Sequence, residues 1–223
     1  MIINKDELVK KLPFWNMLNN EEAELVKMSA TINKYPKGVV AQGFEDECLG
    51  VIQVLKGQLR VYLLSEEGRE VTLFRINEGE FCTLTASCII EQITFETQIS
   101  AEADTELLVI NAGTYERLAD SNLQVKCFTY ELIIERFSEI MWALQQILFM
   151  GFDKRLAVFL YDEYSRTGSL EIKMTHEQIA KLTGSAREVV SRMLKRFADE
   201  DIVEFKRGVI IIKNIAALKK IIK

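Results

Sequence analysis

The chain has 223 residues, enough for two modest domains joined by a connector. A hydrophobic fraction of 48% with only two prolines argues against disorder, and no apolar run reaches the roughly 18 residues that a membrane span needs. The single histidine, His176, excludes a metal centre built from several imidazoles. Four cysteines without a Cys-x-x-Cys pair argue against a disulfide framework.

The formal net charge of -5 is divided unevenly along the chain. Residues 151–223 carry 15 Lys and Arg against 10 Asp and Glu, whereas residues 1–150 carry 13 against 23. Because attraction to phosphates depends on local charge, the basic C-terminal part is the candidate for nucleic-acid binding. The first residues lack the apolar stretch of a signal peptide, so we expect a cytoplasmic protein.

The N-terminal half predicts a small β domain. Residues 5–30 form a short helical lead-in, and short β-type runs follow from Tyr35 to Ile110. Glycines at 38, 57, 68 and 79 mark turns between these runs, which favours an antiparallel sandwich or barrel. Residues 58–76 predict a hairpin with a polar tip.

Residues 114–148 have the clearest periodic pattern and predict a long amphipathic helix. Its apolar residues step by three and four, as in a coiled coil. The predicted dimer interface consists of Tyr130, Ile133, Phe137, Ile140, Leu144 and Ile147. A second apolar row follows one position behind, at Ile134, Met141 and Leu148. The alternative is an ordinary buried helix in a single core.

After a break at Gly151 and a helix from Asp153, two more short helices are predicted close together. The sequence Thr175-His-Glu-Gln178 is a capping box that begins the first, and Thr183-Gly184 ends it. The sequence Ser185-Ala-Arg-Glu188 repeats the capping signature and begins the second. A small residue at Ala180 and a glycine in the turn suit a helix-turn-helix.

The second of these helices has a polar outward side, and a hairpin with a basic tip follows at residues 202–213. Together they predict a winged helix-turn-helix over residues ~170 to 213 that reads base edges from the major groove. Glu188 has the alternative role of a helix cap only. The predicted DNA-binding residues are Thr175, Ser185, Arg187, Glu188, Ser191, Arg192, Lys206 and Arg207.

This order of elements resembles the Crp/Fnr family, the cyclic-AMP receptor and fumarate-nitrate regulator group, over nearly the whole chain. The likeness rests on Tyr35-Pro-Lys-Gly-Val-Val-Ala-Gln-Gly43, on the glycine-marked stretch 54–81, and on Thr183-Gly-Ser-Ala-Arg-Glu-Val-Val-Ser-Arg192. The resemblance implies an α+β fold: a cyclic-nucleotide-binding-like jelly roll at 1–113, a dimerisation helix at 114–150 and a DNA-binding domain at 151–223. It also places Arg187, Glu188 and Arg192 at base-reading positions, with Ser191 matching the serine of the fumarate-nitrate type.

The chain departs from the family where ligands bind. The family's Gly-Glu-Leu element is missing, its Arg-Ser phosphate clamp aligns with Phe95-Glu96, and the helix hydroxyls that meet the base align with Ile140 and Met141. Since a glutamate repels a phosphate, we expect an effector other than cyclic AMP. No cysteine precedes Cys48, which argues against an N-terminal iron-sulfur cluster.

The effector and any cofactor therefore stay unassigned. The candidate effector-pocket residues are Glu80, Cys82, Thr85, Cys88, Phe95 and Cys127. These cysteines predict either a thiol switch or buried packing residues. The expected partners are double-stranded DNA, a second copy of the chain, RNA polymerase and a small molecule. A cupin-like metalloenzyme is excluded by the lack of barrel histidines, and an effector-independent DNA-binding protein is the other alternative.

Overall fold

The computed structural model describes residues 5–42, 49–68, 70–83, 97–206 and 208–223. The chain divides into two compact units. The first comprises Met1–Leu63 and Leu73–Ile140, and the second comprises Leu64–Thr72 and Met141–Lys223. Within the described residues, no helix has the length and apolar character needed to cross a membrane.

The first unit begins with the predicted helical lead-in. It consists of α1 (Lys5–Val9), a short 3-10 helix (Trp15–Met17) and α2 (Asn20–Ser29). The side chain of Asn19 accepts a hydrogen bond from the Glu22 amide at 2.9 Å, and the Glu22 carboxylate accepts from the Asn19 amide at 2.8 Å. This capping box fixes the start of α2.

Two antiparallel four-stranded sheets form the sandwich. The first sheet has the order β1 (Ala30–Tyr35), β8 (Thr105–Ile110), β3 (Val51–Lys56), β6 (Phe81–Cys82). The second has the order β2 (Val40–Gln42), β7 (Gln98–Ala101), β4 (Gln58–Leu64), β5 (Glu70–Asn77). Alternate side chains of the strands meet in a core that includes Ile52, Val54, Leu59, Val61, Phe74, Ile76, Ile99 and Leu107. The predicted sandwich and its hairpin are confirmed.

Gly57, between β3 and β4, shows why a glycine marks this turn. Its φ is +90°, and an added Cβ would lie 2.6 Å from the Asp104 carbonyl oxygen. Both the positive φ and the close approach of backbone exclude a side chain here. The glycine therefore allows the chain to turn from β3 of the first sheet into β4 of the second.

The segment predicted as one helical unit over 114–148 consists of two helices, α3 (Ala112–Ser121) and α4 (Leu123–Phe149). Asn122 separates them, because its side-chain oxygen accepts from the amides of Gln124 at 3.0 Å and Val125 at 3.2 Å and so caps α4. A cluster of rings joins α3 and α4 to the lead-in and the sheet. It consists of Phe14, Phe81, Tyr115 and Phe128.

The second unit contains the C-terminal elements α5 (Phe152–Thr167), β9 (Glu171–Ile172), α6 (His176–Thr183), α7 (Arg187–Asp199), β10 (Val203–Lys206), β11 (Val209–Ile212) and α8 (Ile215–Ile222). Helix α5 ends at Gly168, which has the left-handed conformation. The core of the second unit includes Leu156, Leu160, Ile179, Val190, Leu194 and Phe197. Helix α8, which the sequence analysis missed, is capped by Asn214 and packs on α5.

Candidate nucleic-acid interface

The first helix of the predicted motif, α6, begins at its capping box. The Thr175 hydroxyl accepts from the Gln178 amide at 3.2 Å, and the Gln178 side chain accepts from the Thr175 amide at 2.8 Å. Gly184 ends the helix with φ 61° and ψ 42°, the left-handed conformation that favours glycine. An added Cβ there would meet its nearest atom, on Ile147, at 3.7 Å, so the backbone conformation rather than space requires the glycine.

The second predicted capping box is wrong. Helix α7 begins at Arg187, and its N-cap is Ala186, which has no side-chain capping bond. Ser185 lies one residue too early, and its amide donates to the Ala180 carbonyl at 2.9 Å as part of the turn. Glu188 is thus the second residue of α7 and has no serine cap to complete.

Helix α7 presents one polar face and one buried face. Val190, Leu194 and Phe197 are fully buried. Arg187, Glu188 and Arg192 are exposed outside this buried face, and Ser191 is half-buried beside it. Five residues share this outward stripe at about 100° per residue: Arg187, Glu188, Ser191, Arg192 and the exposed Lys195, which the sequence analysis missed.

Arg196, on the same helix, has a different setting. Its Nε donates to Glu200 at 2.8 Å, four residues further along α7. The pairing engages this guanidinium with its own helix, whereas Arg187 and Arg192 belong to the outward stripe. Arg196 is therefore a matched control for arginines on α7.

Helix α7 is joined to α6 and to the wing through one side chain. Nδ1 of His176, the first residue of α6, lies 2.7 Å from the Ser191 hydroxyl oxygen. The His176 ring also lies 6.0 Å from the Phe205 ring of β10, centroid to centroid. The sequence alone shows only that His176 is the single histidine and gives no signal for this contact.

The wing is a three-stranded antiparallel sheet in the order β10, β11, β9. Val203 pairs with Ile212, and Phe205 pairs with Ile210. The inner side chains of Val203, Ile210 and Ile212 are buried, and Lys206 at the tip is exposed. Arg207, the other predicted tip residue, lies outside the described residues.

The predicted effector residues are only partly visible in the structure. Cys82 is a buried thiol in the sandwich core, and Cys127 is an exposed thiol on α4. Glu80 is half-exposed and accepts from the amide nitrogen and the side chain of Asn77. Thr85, Cys88 and Phe95 lie outside the described residues.

Arg136 of α4 is a buried cation that the sequence analysis missed. Its guanidinium donates to Glu139 at 2.7 Å and to Glu80 at 3.3 Å, and it lies 5.0 Å from the Phe74 ring. Burial opposes its charge, but the hydrogen bond to Glu139 and the nearby negative charges outweigh this effect, so the pKa of Arg136 is raised. A charged residue on the same helix face as Ile133 and Ile140 was the available signal.

Within the second unit, residues near the tip of the β4–β5 hairpin contact α6. The Lys181 ammonium donates to the Glu70 carboxylate at 2.7 Å, and the Thr72 hydroxyl donates to the Lys181 carbonyl at 3.0 Å. Val71 lies near Gly184, at 3.8 Å from the position of an added Cβ. These contacts hold residues 70–72 against the C-terminal end of α6, beside the turn of the helix-turn-helix.

Helix α4 has an unpartnered apolar side. Six exposed apolar residues form a row with the spacing four, three, four, three, four: Tyr130, Ile134, Phe137, Met141, Leu144 and Leu148. Leu123, Trp142 and Phe149 of α4 are also exposed but do not continue this spacing. Three residues of the predicted interface, Ile133, Ile140 and Ile147, are half-buried. Ile140 packs on the sandwich core, so the outer row is the one that begins at Tyr130 and continues through Ile134.

A β-sandwich, a long apolar helix and a winged helix with an exposed arginine-bearing stripe define a DNA-binding regulator with a sensor-like domain. Residues 154–221 match the model of the Crp-like helix-turn-helix domain, and residues 33–122 match that of the cyclic nucleotide-binding domain. The chain belongs to the Crp/Fnr family of transcription regulators, which are not enzymes.

Individual relatives agree with this assignment. A structure assigned to the Crp/Fnr family, from Eubacterium rectale, is 40% identical with a TM-score of 0.90, and the match covers 96% of this chain and 99% of that one. The cAMP-activated global transcriptional regulator CRP of Salmonella typhimurium is 24% identical, over 77% of this chain and 84% of that protein. FixK2 of Bradyrhizobium japonicum shares the fold, with a TM-score of 0.71, 21% identity, and coverage of 86% of this chain and 96% of that one.

Proposed function

We propose that this regulator binds a two-fold-symmetric DNA site as a homodimer, and that its N-terminal domain responds to an effector other than cyclic AMP. The observation that carries the DNA-reading part is the outward stripe of α7. Arg187 and Arg192 are exposed near the start of the helix, next to the half-buried Ser191. Arginine can hold guanine through two hydrogen bonds in the major groove. Lys206 at the wing tip suits a phosphate contact, as does Thr175 at the start of α6.

Dimerisation is supported by the exposed row of α4. Six large apolar side chains at coiled-coil spacing stand on one side of the helix, and burying them removes a large apolar surface from water. A second copy of α4 offers the same row, so the two helices complement each other. Two copies also present two α7 helices, as a palindromic site requires.

An effector other than cyclic AMP is supported by the residues that replace the family's base-binding hydroxyls. Ile140 packs on the sandwich core, and Met141 is exposed. Isoleucine has no hydrogen-bonding group, and the methionine sulfur is only a weak acceptor, so neither side chain can replace a hydroxyl that donates to an adenine edge. The buried Phe74 also contributes its ring to the same core. A small-molecule effector of different chemistry, and contact with RNA polymerase at the promoter, complete the proposal.

The test of DNA reading is a selection of bound fragments from randomised DNA. We expect wild type to enrich a palindrome and Arg187→Ala to lose about 1–3 kcal/mol on that site, with relaxed preference at one base pair of each half. Arg196→Ala is the matched control, because its guanidinium is paired with Glu200, and it should keep the wild-type preference. An equal loss by Arg187→Ala on every sequence would make Arg187 a phosphate contact and would contradict its reading role.

A further inference from the structure

His176 links both parts of the DNA-binding surface. It stands at the first position of α6, immediately after the Thr175 cap, and both His176 and Ser191 are half-buried. The 2.7 Å contact between His176 Nδ1 and Ser191 Oγ holds the only hydroxyl of the α7 stripe. Ser191 lies one turn after Arg187, and Arg192 follows it directly.

The protonation of His176 Nδ1 determines whether the Ser191 hydroxyl can donate a hydrogen bond to a base or can only accept one. If Nδ1 carries the proton, it donates to the serine oxygen, and the serine hydroxyl hydrogen is free to be donated to guanine N7 or O6, adenine N7, or thymine O4. If Nδ1 is unprotonated, it accepts the serine hydrogen, and the serine oxygen can only accept, from adenine N6 or cytosine N4. The imidazole tautomer therefore decides which base edges match the serine.

We propose that His176 is a positioning residue for base reading, which orients the Ser191 hydroxyl and sets whether that hydroxyl donates or accepts. This inference rests on the proposed DNA-reading role of α7. The proposal gives His176 a part in sequence preference although this residue lies on α6 and not on α7. Histidine suits the task because either ring nitrogen can donate or accept.

Phe205 restricts the orientation of the His176 ring. The two rings are 6.0 Å apart with an angle of 59° between their planes, a tilted arrangement for an aromatic pair. Phe205 lies on β10 directly before Lys206 of the wing tip. The wing strand and the reading serine thus share one side chain, which couples the wing position to the serine hydroxyl.

The experiment compares four variants with wild type on the full-length protein, using a library randomised in the half-site. His176→Phe keeps a ring against Phe205 and removes the bond to Ser191, and Ser191→Ala removes the other partner. His176→Asn is the rescue variant, because its amide group branches from Cγ as Nδ1 does and can bond the serine. The fourth variant combines His176→Phe with Ser191→Ala. Thermal unfolding and binding to a non-specific duplex serve as controls for folding.

We expect His176→Phe and Ser191→Ala to weaken preference at the same base pair, each by about fivefold to tenfold, the size of one hydrogen bond. The double variant should lose no more than Ser191→Ala alone, because both changes remove one interaction. His176→Asn should retain a preference at that base pair. Non-specific affinity should be unchanged in all four variants.

The proposal is overturned if His176→Phe weakens all sequences equally, which would make His176 a phosphate contact, or if the two single effects add. It is also overturned if Ser191→Ala leaves the base preference intact. Arg187→Ala separates these failures from a failure of the proposed function. If Arg187→Ala alters base preference while the His176 and Ser191 variants do not, only the role of His176 is lost.

Discussion

At the scale of single residues, several side chains have settings that differ from what their type suggests. Cys82, a candidate switch, is 1% exposed and packs in the sandwich core, so its burial favours a packing role. Arg136 is buried in the same unit and is balanced by two carboxylates. Buried charges that lose a partner become costly, so Glu139 and Glu80 are needed to keep this arginine in place.

Tyr115 provides a prediction on alkaline stability. Burial raises its pKa to about 12 from an ordinary value of 10.0, against the opposite effect of the hydrogen bond with Thr129. Below pH 10 the phenol is protonated in both the folded and the unfolded chain, so this group does not make the free energy of unfolding depend on pH. Between pH 10 and 12 the unfolded chain releases the proton first, and the free energy of unfolding falls by about 2–3 kcal/mol.

Denaturant unfolding of wild type and Tyr115→Phe at pH 8 and pH 11 measures this effect. The variant should be less stable at pH 8 by about 1 kcal/mol, because the hydrogen bond to Thr129 is lost. Between the two pH values it should lose less stability than wild type does. Other tyrosines and lysines titrate in both proteins and cancel. Identical losses in the two proteins would show that Tyr115 does not carry this dependence.

At the scale of elements, α4 has two adjacent apolar rows, of which one is half-buried and the other is exposed. Helical spacing predicted an apolar seam but could not tell which of two adjacent rows faces outward, since Ile133 and Ile134, or Ile140 and Met141, are apolar alike. Packing of Ile140 on the sandwich core decides this. The exposed row is therefore the one proposed for dimerisation.

Charged residues in the exposed row should separate the dimer. We expect Phe137→Glu combined with Leu144→Glu to give monomers, because four like charges would face one another across the helix pair. Sedimentation equilibrium measures the change, and circular dichroism checks that α4 is retained. Gln145→Glu is the matched control on an exposed polar position of the same helix and should remain dimeric. An unchanged dimer in the double variant would contradict the proposed interface.

At the scale of the whole molecule, the sequence predicted the architecture well where local signals are strong. The capping box at Thr175 and the glycine at 184 located α6 and its turn, because both act over a few residues. The error at Ser185 has the same origin. Its spacing to Glu188 matches a capping box, but Ser185 is part of the turn, and its amide donates to the Ala180 carbonyl. The ion pairs of Arg136 with Glu80 and of Lys181 with Glu70 could not be predicted, since the partners are 56 and 111 residues apart in the chain.

The response of the whole protein to cyclic AMP is a further prediction. We expect no heat of binding in calorimetry at ligand concentrations up to about 1 mM, and no change in DNA affinity. The reason is that Ile140 and Met141 replace hydroxyls, and Phe95-Glu96 stands where the phosphate clamp of the family aligns. A cAMP-activated relative serves as the positive control. Micromolar binding would contradict this expectation.

The contacts of Lys181 have a consequence for protein engineering. Glu70, Val71 and Thr72 belong to the same compact unit as the helix-turn-helix, although they precede it by more than a hundred residues. A fragment cut at Gly151 would lose the carboxylate beside Lys181 and the apolar cover near Gly184. Chimeras that exchange the winged helix between family members should therefore transfer residues 64–72 together with it, or match the residues at 70 and 181.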